Sequence, residues 1–155
     1  MGRESMRIEE EIKQKKFPSN YIKAYVNLVY TANKITDEQK TFFKKAEVTH
    51  QQYNVLRILR GKYPKTSNPG EIKSVMLDKS PDLTRLVDRL LAKGLVARES
   101  CLDNRRKVDI KITEKGLSFL EDVEPLVEES GSRYNKNLSD QEALLLSDLL
   151  DKLRG

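Results

Sequence analysis

Along most of this 155-residue chain apolar positions recur at three- and four-residue spacing, and in one short stretch they fall on every second residue. The first spacing is that of a helix burying one stripe, the second that of a strand burying one face. The opening MGRESMRIEEEIKQKK is mostly charged and predicts only a short, loosely docked helix. From Ser19 the helical rhythm sets in, with Ile22, Tyr25, Val26 and Val29, then Ile35, Phe42, Phe43 and Ala46. Thr36-Asp37-Glu38-Gln39 has the form of a capping box and could open a new helix. Equally, no Gly or Pro interrupts residues 19–48, so a single long helix is the other reading.

The next start is sharper. Thr49 as N-cap with Gln52 three residues on makes a T-x-x-Q box, and Val48 can staple onto Tyr53. Tyr53, Leu56, Ile58 and Leu59 give the buried stripe, and Gly61 is expected to end the helix. KYPKTSNPG then reads as a loop. Asn68 caps a short helix with Pro69 at its first position, and Ile72, Val75 and Met76 form the inner face. Ser80 is expected to cap another helix with Pro81 at its first position. Leu83, Leu86, Val87, Leu90 and Leu91 make its single apolar stripe, and Gly94 suits the left-handed exit. Asp82, Arg85 and Arg89 lie opposite that stripe, with Thr84 at its flank.

Two strands follow, around Leu95 to Ser100 and from Lys107 to Thr113, with Cys101 to Arg106 as the tip. Val108, Ile110 and Ile112 should face the domain, and Lys107, Asp109 and Lys111 the solvent. Helical pattern returns from Glu114 to about Arg133, with Pro125 as a candidate kink. Ser139 and Glu142 form an S-x-x-E box opening a last helix. Its Leu144, Leu145, Leu149, Leu150 and Leu153 are more leucine than a surface helix needs, which suggests a partner helix.

Composition narrows the function classes. Charged residues make up 34% and hydrophobic residues 37%, polar for a lone globule. No stretch approaches the roughly 18 apolar residues of a membrane span, and the N-terminus lacks the apolar core of a signal peptide. A cytoplasmic protein with no membrane partner is expected. The single Cys101 allows no intrachain disulfide, and the single His50 argues against a zinc site. No glycine-rich phosphate loop occurs. No cofactor, metal or catalytic residue is therefore expected, and a small hydrolase or metalloenzyme has no support. Charge is unevenly spread. Residues 117–155 hold 4 Lys/Arg and 9 Asp/Glu, net −5, which leaves 25 of the 29 basic and 15 of the 24 acidic residues, net +10, in residues 1–116. A basic body with an acidic tail points to an anionic partner.

Short helix, turn, capped helix and two-stranded hairpin is the order of a helix-turn-helix followed by a wing. A DNA-reading helix must bury one stripe and still offer polar side chains near its N-terminus to base edges. Thr84 and Arg85 meet that demand, the Arg by forking onto guanine O6 and N7. Arg89, one turn on, suits a phosphate. Asp82 would repel phosphate, yet it could accept from cytosine N4; the simpler role is an acid favourable to the helix dipole. At the hairpin tip Arg105 could enter a narrow minor groove, with Asp103 holding its geometry. An ordinary polar turn is the plain alternative.

DLTRLVDRLLAKGLVARESCLDNRRKVDIKITEKG, Asp82 to Gly116, resembles the recognition helix and wing of MarR-type bacterial transcription regulators. The likeness rests on T-R-L-V-D-R-L at Thr84 to Leu90, K-G-L-V at Lys93 to Val96, D-x-R at Asp103 to Arg105 and I-T-E-K-G at Ile112 to Gly116. THQQYNVLRILRG resembles the family's second helix. The resemblance implies a winged-helix homodimer with the first helix and the two C-terminal helices at the dimer interface. It implies Thr84 and Arg85 in the major groove, Arg105 in the minor groove, and one continuous helix through Thr36. It also implies a repressor that releases DNA on binding a small aromatic or anionic effector. Pro81-Asp82 departs from the small hydroxyl pair common at that helix start, and the KYPKTSNPG loop is longer than usual. Cys101 lies in the wing rather than the N-terminal helix where family redox sensors carry their thiol. Arg98 and Arg105 would favour its thiolate, and Glu99 and Asp103 oppose them.

The expected protein is mainly α with a small β-hairpin wing: a winged helix-turn-helix plus a helical dimerisation region. Residues 1–48 and 117–155 would supply dimerisation helices, and 49–116 the DNA-binding domain. The expected function is sequence-specific binding of double-stranded, pseudo-palindromic operator DNA. The DNA-facing set is Ser80, Asp82, Thr84, Arg85, Arg89, Arg105, Arg106 and Lys107, with Lys65, Thr66, Ser67 and Lys73 as phosphate contacts. The rival reading is a winged-helix module that binds protein instead.

Overall fold

The computed structural model describes residues 6–79, 82–101 and 104–155; the side chains at 100, 101, 104–107, 130 and 133–135 lie outside that description. Helices α1 (Ile8–Glu11), α2 (Asn20–Lys45), α3 (His50–Lys62), α4 (Pro69–Val75) and α5 (Leu83–Ala92) lead into strands β1 (Val96–Cys101) and β2 (Asn104–Ile112). Helices α6 (Glu114–Asn137) and α7 (Asp140–Arg154) complete the order. The chain divides into two compact units, Met1–His50 and Gln51–Gly155.

In the first unit α2 runs unbroken through Thr36, whose hydroxyl donates back to the Ala32 carbonyl at 2.8 Å instead of capping a new helix. Ser19 is the cap, accepting from the Ile22 N–H at 3.2 Å. The short α1 is held more firmly than its composition suggests. Ile8 is buried, Lys23 pairs with Glu9 at 2.5 Å, and Glu11 takes hydrogen bonds from Tyr30 at 2.5 Å and Lys34 at 3.3 Å. Tyr21, at 87% exposure, leads an open apolar row on α2 that continues through Ile22, Tyr25, Leu28 and Val29.

In the second unit the core is built from Tyr53, Val55, Leu56 and Leu59 of α3, Ile72 and Met76 at α4, the α5 stripe, and Leu120 and Val123 of α6. Burying Leu83, Leu86, Val87 and Leu90 of α5 contributes about 1.5–3 kcal/mol each before conformational entropy is set against it. Several expected details shift. Helix α3 passes through Gly61 to Lys62. Val75 is exposed, because α4 is only seven residues long and turns just Ile72 and the following Met76 inward. Helix α5 starts two residues later than expected. Its cap is Asp82 in extended backbone, not Ser80, because the carboxylate accepts from two helix N–H groups. The exit of α5 is a Schellman turn: Gly94 at φ +71° donates to Leu91 O, and Leu95 donates to Leu90 O.

The antiparallel hairpin pairs Val96 with Ile112 and Arg98 with Ile110, with a register irregularity between Ser100 and Cys101. Pairing resumes at Cys101 with Asn104, so β2 begins three residues earlier than the alternation predicts. Ile110 and Ile112 face the core as expected, but Val108 is 39% exposed. Helix α6 continues through Pro125 and past Arg133 to Asn137. The Ser139–Glu142 box forms at α7, with the Ser139 N–H donating to Glu142 at 2.8 Å. No described residue of α7 is buried.

One ion-pair cluster joins α3 to α6. Arg60 forks onto both oxygens of Glu124 at 2.6 Å, and Arg57 Nε lies 3.8 Å from the same carboxylate. The Arg60 hydrogen bonds hold Glu124 below the usual carboxylate range, although partial burial opposes them. A depressed carboxylate stabilises the fold above its unfolded-state pKa, and that contribution is lost as pH falls through the folded value. Glu124→Gln is therefore expected to cost about 1–2 kcal/mol at neutral pH, discounted for partial exposure. The deficit should shrink as acid is added. Thermal unfolding of both proteins between neutral and acidic pH checks this; a gap that stays constant with pH contradicts it.

Candidate nucleic-acid interface

Helix α5 presents one face to the core and the other to solvent. With Leu83, Leu86, Val87 and Leu90 buried, helical geometry turns Thr84, Arg85, Asp88 and Arg89 outward, and all four are exposed. Asp82 Oδ1 accepts from the Thr84 N–H at 3.0 Å and the Arg85 N–H at 3.4 Å, while Oδ2 lies 3.4 Å from Arg85 Nε. The predicted trio Asp82, Thr84 and Arg85 is thus one cluster at the helix start, and Arg89 sits a turn further on.

The preceding helix is fixed independently. Asn68 Oδ1 caps α4 through the Glu71 N–H at 2.9 Å, and Asn54 of α3 accepts from the Leu77 N–H at 3.1 Å, anchoring the turn that leads to α5. Lys73, on α4, is exposed, as is Lys65 before it.

The loop before α4 is not the simple exposed segment its composition suggests. Ser67 and Ile110 exchange two backbone hydrogen bonds of 2.9 Å, so the loop closes the free edge of β2. An edge left open would invite pairing with other chains. Ser67 is consequently 1% exposed, which removes it as a phosphate contact. The Thr66 hydroxyl donates to Asp109 Oδ2 at 3.1 Å, so Asp109 holds the loop rather than simply facing water. Of the three loop residues expected at phosphate, Lys65 alone keeps a free exposed head among the described contacts.

The wing body is laced with charge pairs. Arg98 of β1 meets Asp88 of α5 at 2.6 Å, and Lys111 pairs with Glu99 across the strands. The expected tip residues Cys101, Asp103, Arg105, Arg106 and Lys107, and the expected Ser80, lie outside the described residues or side chains. Below the start of α5 is a cavity of about 170 Å³ lined by Pro69, Leu83, Thr84, Val87, Arg98, Val108 and Ile110. Its walls are apolar apart from the Arg98 guanidinium and the Thr84 hydroxyl. The periodicity of α5 and β2 carries no signal for this cavity, because it arises only where both elements meet α4. The Arg60–Glu124 and Arg98–Asp88 pairs were likewise invisible to spacing, being joined across 64 and 10 residues.

Among the described residues no His, Cys, Asp or Glu cluster could hold a metal, and no helix is long and apolar enough to cross a membrane.

Residues 48–108 match the family model described as MarR family. That span holds α3, α4, α5 and the hairpin up to Val108. A MarR transcription factor from Planctomyces limnophilus is 34% identical over 88% of this chain and 98% of its own, with a TM-score of 0.69. A Cys-to-Ser mutant of MarR from E. coli, solved in complex with operator DNA, is 29% identical over 89% and 99% of the two chains, TM-score 0.73. BpsR of Bordetella bronchiseptica, whose DNA binding is regulated by 6-hydroxynicotinic acid, shares the fold at 21% identity over 82% and 89%, TM-score 0.71. Family members are transcription regulators, not enzymes. An outward polar face on a capped helix, a two-stranded wing and a relative 34% identical along nearly its whole length converge: this chain belongs to the MarR family of winged-helix transcription regulators.

Proposed function

We propose that the protein is a homodimeric, ligand-responsive repressor that binds a pseudo-palindromic operator in the bacterial cytoplasm. The observation that carries this reading is the outward face of α5, where Thr84, Arg85 and Arg89 are exposed opposite the buried Leu83, Leu86, Val87 and Leu90. Thr84 and Arg85 read base edges, Arg89, Lys65 and Lys73 contact phosphate, and Arg105 reaches the minor groove with Arg106 and Lys107 on the backbone. Two copies would address half-sites about 34–36 Å apart, one helical turn. The operator complex of the E. coli relative supports the DNA partner. The open apolar rows of α2 and α7 support self-association.

Arg85→Ala and Arg105→Ala are each expected to weaken specific binding by about 1–3 kcal/mol, the worth of a good base contact. Gel-shift titration at fixed salt measures this, and unchanged affinity in either variant removes that residue from the interface. Repeating the wild-type titration across salt concentrations separates the rival reading. Counterion release from phosphate makes log K fall steeply with log salt, whereas a protein-binding module with adventitious DNA affinity shows no operator preference at any salt.

The effector site we propose is the cavity beneath α5. Its Arg98 would exchange Asp88 for a ligand carboxylate while the apolar walls take a ring. A ligand there would press on Thr84 and Leu83 and so disturb the DNA-reading end of the helix. Aromatic carboxylates added to the operator complex should release wild-type protein and leave Arg98→Ala bound; equal release of both would move the site elsewhere.

A further inference from the structure

We infer that Asp82 determines base specificity by acting through Arg85, an inference that rests on the reading of Arg85 as a base contact. The two oxygens of Asp82 have different duties. Oδ1 caps α5 through the Thr84 and Arg85 N–H groups, which fixes the carboxylate in the helix frame. Oδ2 then stands 3.4 Å from Arg85 Nε, and Asp82 is the one partner of that guanidinium among the described residues. The Arg85 side chain is 81% exposed, so no other described residue restrains its long stem.

In free solution such an exposed pair adds little to stability. Its consequence appears when α5 enters a groove. Water leaves, the charge pair strengthens, and Nε stays engaged while the two terminal nitrogens project outward as a fork. That is the geometry guanine O6 and N7 require. An arginine already restrained loses less side-chain freedom on binding. The carboxylate also works against the wrong sequence. Opposite a base without paired acceptors, its repulsion of nearby phosphate is not offset by the arginine fork. Both effects raise the ratio of correct to incorrect sites, and the second lowers affinity for DNA in general. Asp82 is therefore a positioning residue rather than a phosphate or base contact of its own.

The test uses the full chain and the duplex selected from a random pool, with every single base-pair substitution of its half-site, by fluorescence anisotropy at fixed salt. Asp82→Asn and Asp82→Ser both keep a good N-cap acceptor and remove the charge, so the helix start survives in two chemically different ways. Both should flatten discrimination about five- to tenfold at the base pair that Arg85→Ala also flattens. Both should also bind a scrambled duplex a few-fold more tightly. In the Arg85→Ala background, Asp82→Asn should change nothing further at that base pair. Wild-type discrimination in both Asp82 variants, alongside a flattened Arg85→Ala, reduces Asp82 to a cap and overturns the inference while Arg85 keeps its role. Further flattening in the double variant overturns it too, by giving Asp82 a base contact of its own. No flattening by Arg85→Ala removes the base-contact reading itself, and the inference with it.

Discussion

Gly116→Val is expected to lower the thermal midpoint by about 6–12 °C, from a loss of about 3 kcal/mol through overpacking and backbone displacement. The residue opens α6 and lies against the exit of α5. A Cβ at this position would sit 2.2 Å from the Leu95 carbonyl oxygen and 2.6 Å from Ile112 Cγ1. The carbonyl has no room to give, because it already accepts from the Thr113 N–H at 3.1 Å. Thr113 itself is locked, with its hydroxyl donating to Gly94 O at 2.8 Å and accepting from the Gly116 N–H at 3.1 Å. Leu95 follows the Schellman turn that ends α5, so displacement is passed to the recognition helix and operator affinity should fall with stability. Gly61 makes the internal control. It lies in the last turn of α3 with nothing near its missing Cβ, and Gly61→Ala should raise the midpoint slightly, by less than the about 0.5–1 kcal/mol that a mid-helix glycine costs. Differential scanning calorimetry compares all three proteins. A Gly116→Val midpoint equal to wild type would contradict the close approach.

Leu149→Glu is expected to abolish the proposed dimer without unfolding the chain. Helix α7 buries none of its described residues, and Leu145, Leu149 and Leu153 lie open at 58%, 55% and 66%. Leucines spaced by four on one face, following a fully formed capping box, make a stable helix with an unmatched apolar side. In a two-fold dimer one substitution acts twice. A buried, unpaired carboxylate costs about 3–5 kcal/mol, so dimer dissociation should rise by at least a hundredfold. Operator affinity should fall by a comparable factor, because a monomer addresses one half-site. Within one chain the side chain is exposed, so far-UV circular dichroism should be unchanged. Analytical ultracentrifugation distinguishes the cases: a wild-type dimer with a monomeric variant is expected, and an unaltered dimer would place the interface elsewhere.

What the sequence made legible is what periodicity and capping chemistry encode. The α5 stripe, Gly94 at positive φ, Asn68 at the α4 cap and the Ser139–Glu142 box all follow from local rules that tertiary contacts did not override. The misplaced cap of α5 has a local cause as well. Ser80-Pro81 and Asp82 are competing N-cap signals two residues apart, and the carboxylate captures two N–H groups. Gly61 stayed helical because a glycine stops a helix only where a left-handed exit follows, and α3 has another residue to run. Thr36 carried a box motif that the long apolar rhythm of α2 outweighed.

The candidate interface was legible in its exposed helix face and not in its supports. Ser67 reads as an ordinary loop hydroxyl; only the meeting of its backbone with Ile110 buries it. Thr66 to Asp109, Arg98 to Asp88 and Arg60 to Glu124 are contacts between elements, and no spacing within one element announces them. The cavity under Thr84 belongs to the same class. Each depends on how α4, α5, α6 and the hairpin pack, which is long-range information.

Sequence-specific DNA binding by a symmetric pair of recognition helices can be measured by selecting binders of the purified protein from a random duplex pool. A palindromic or near-palindromic consensus is expected, with half-site centres about one helical turn apart. A pool that emerges without any shared sequence would contradict it.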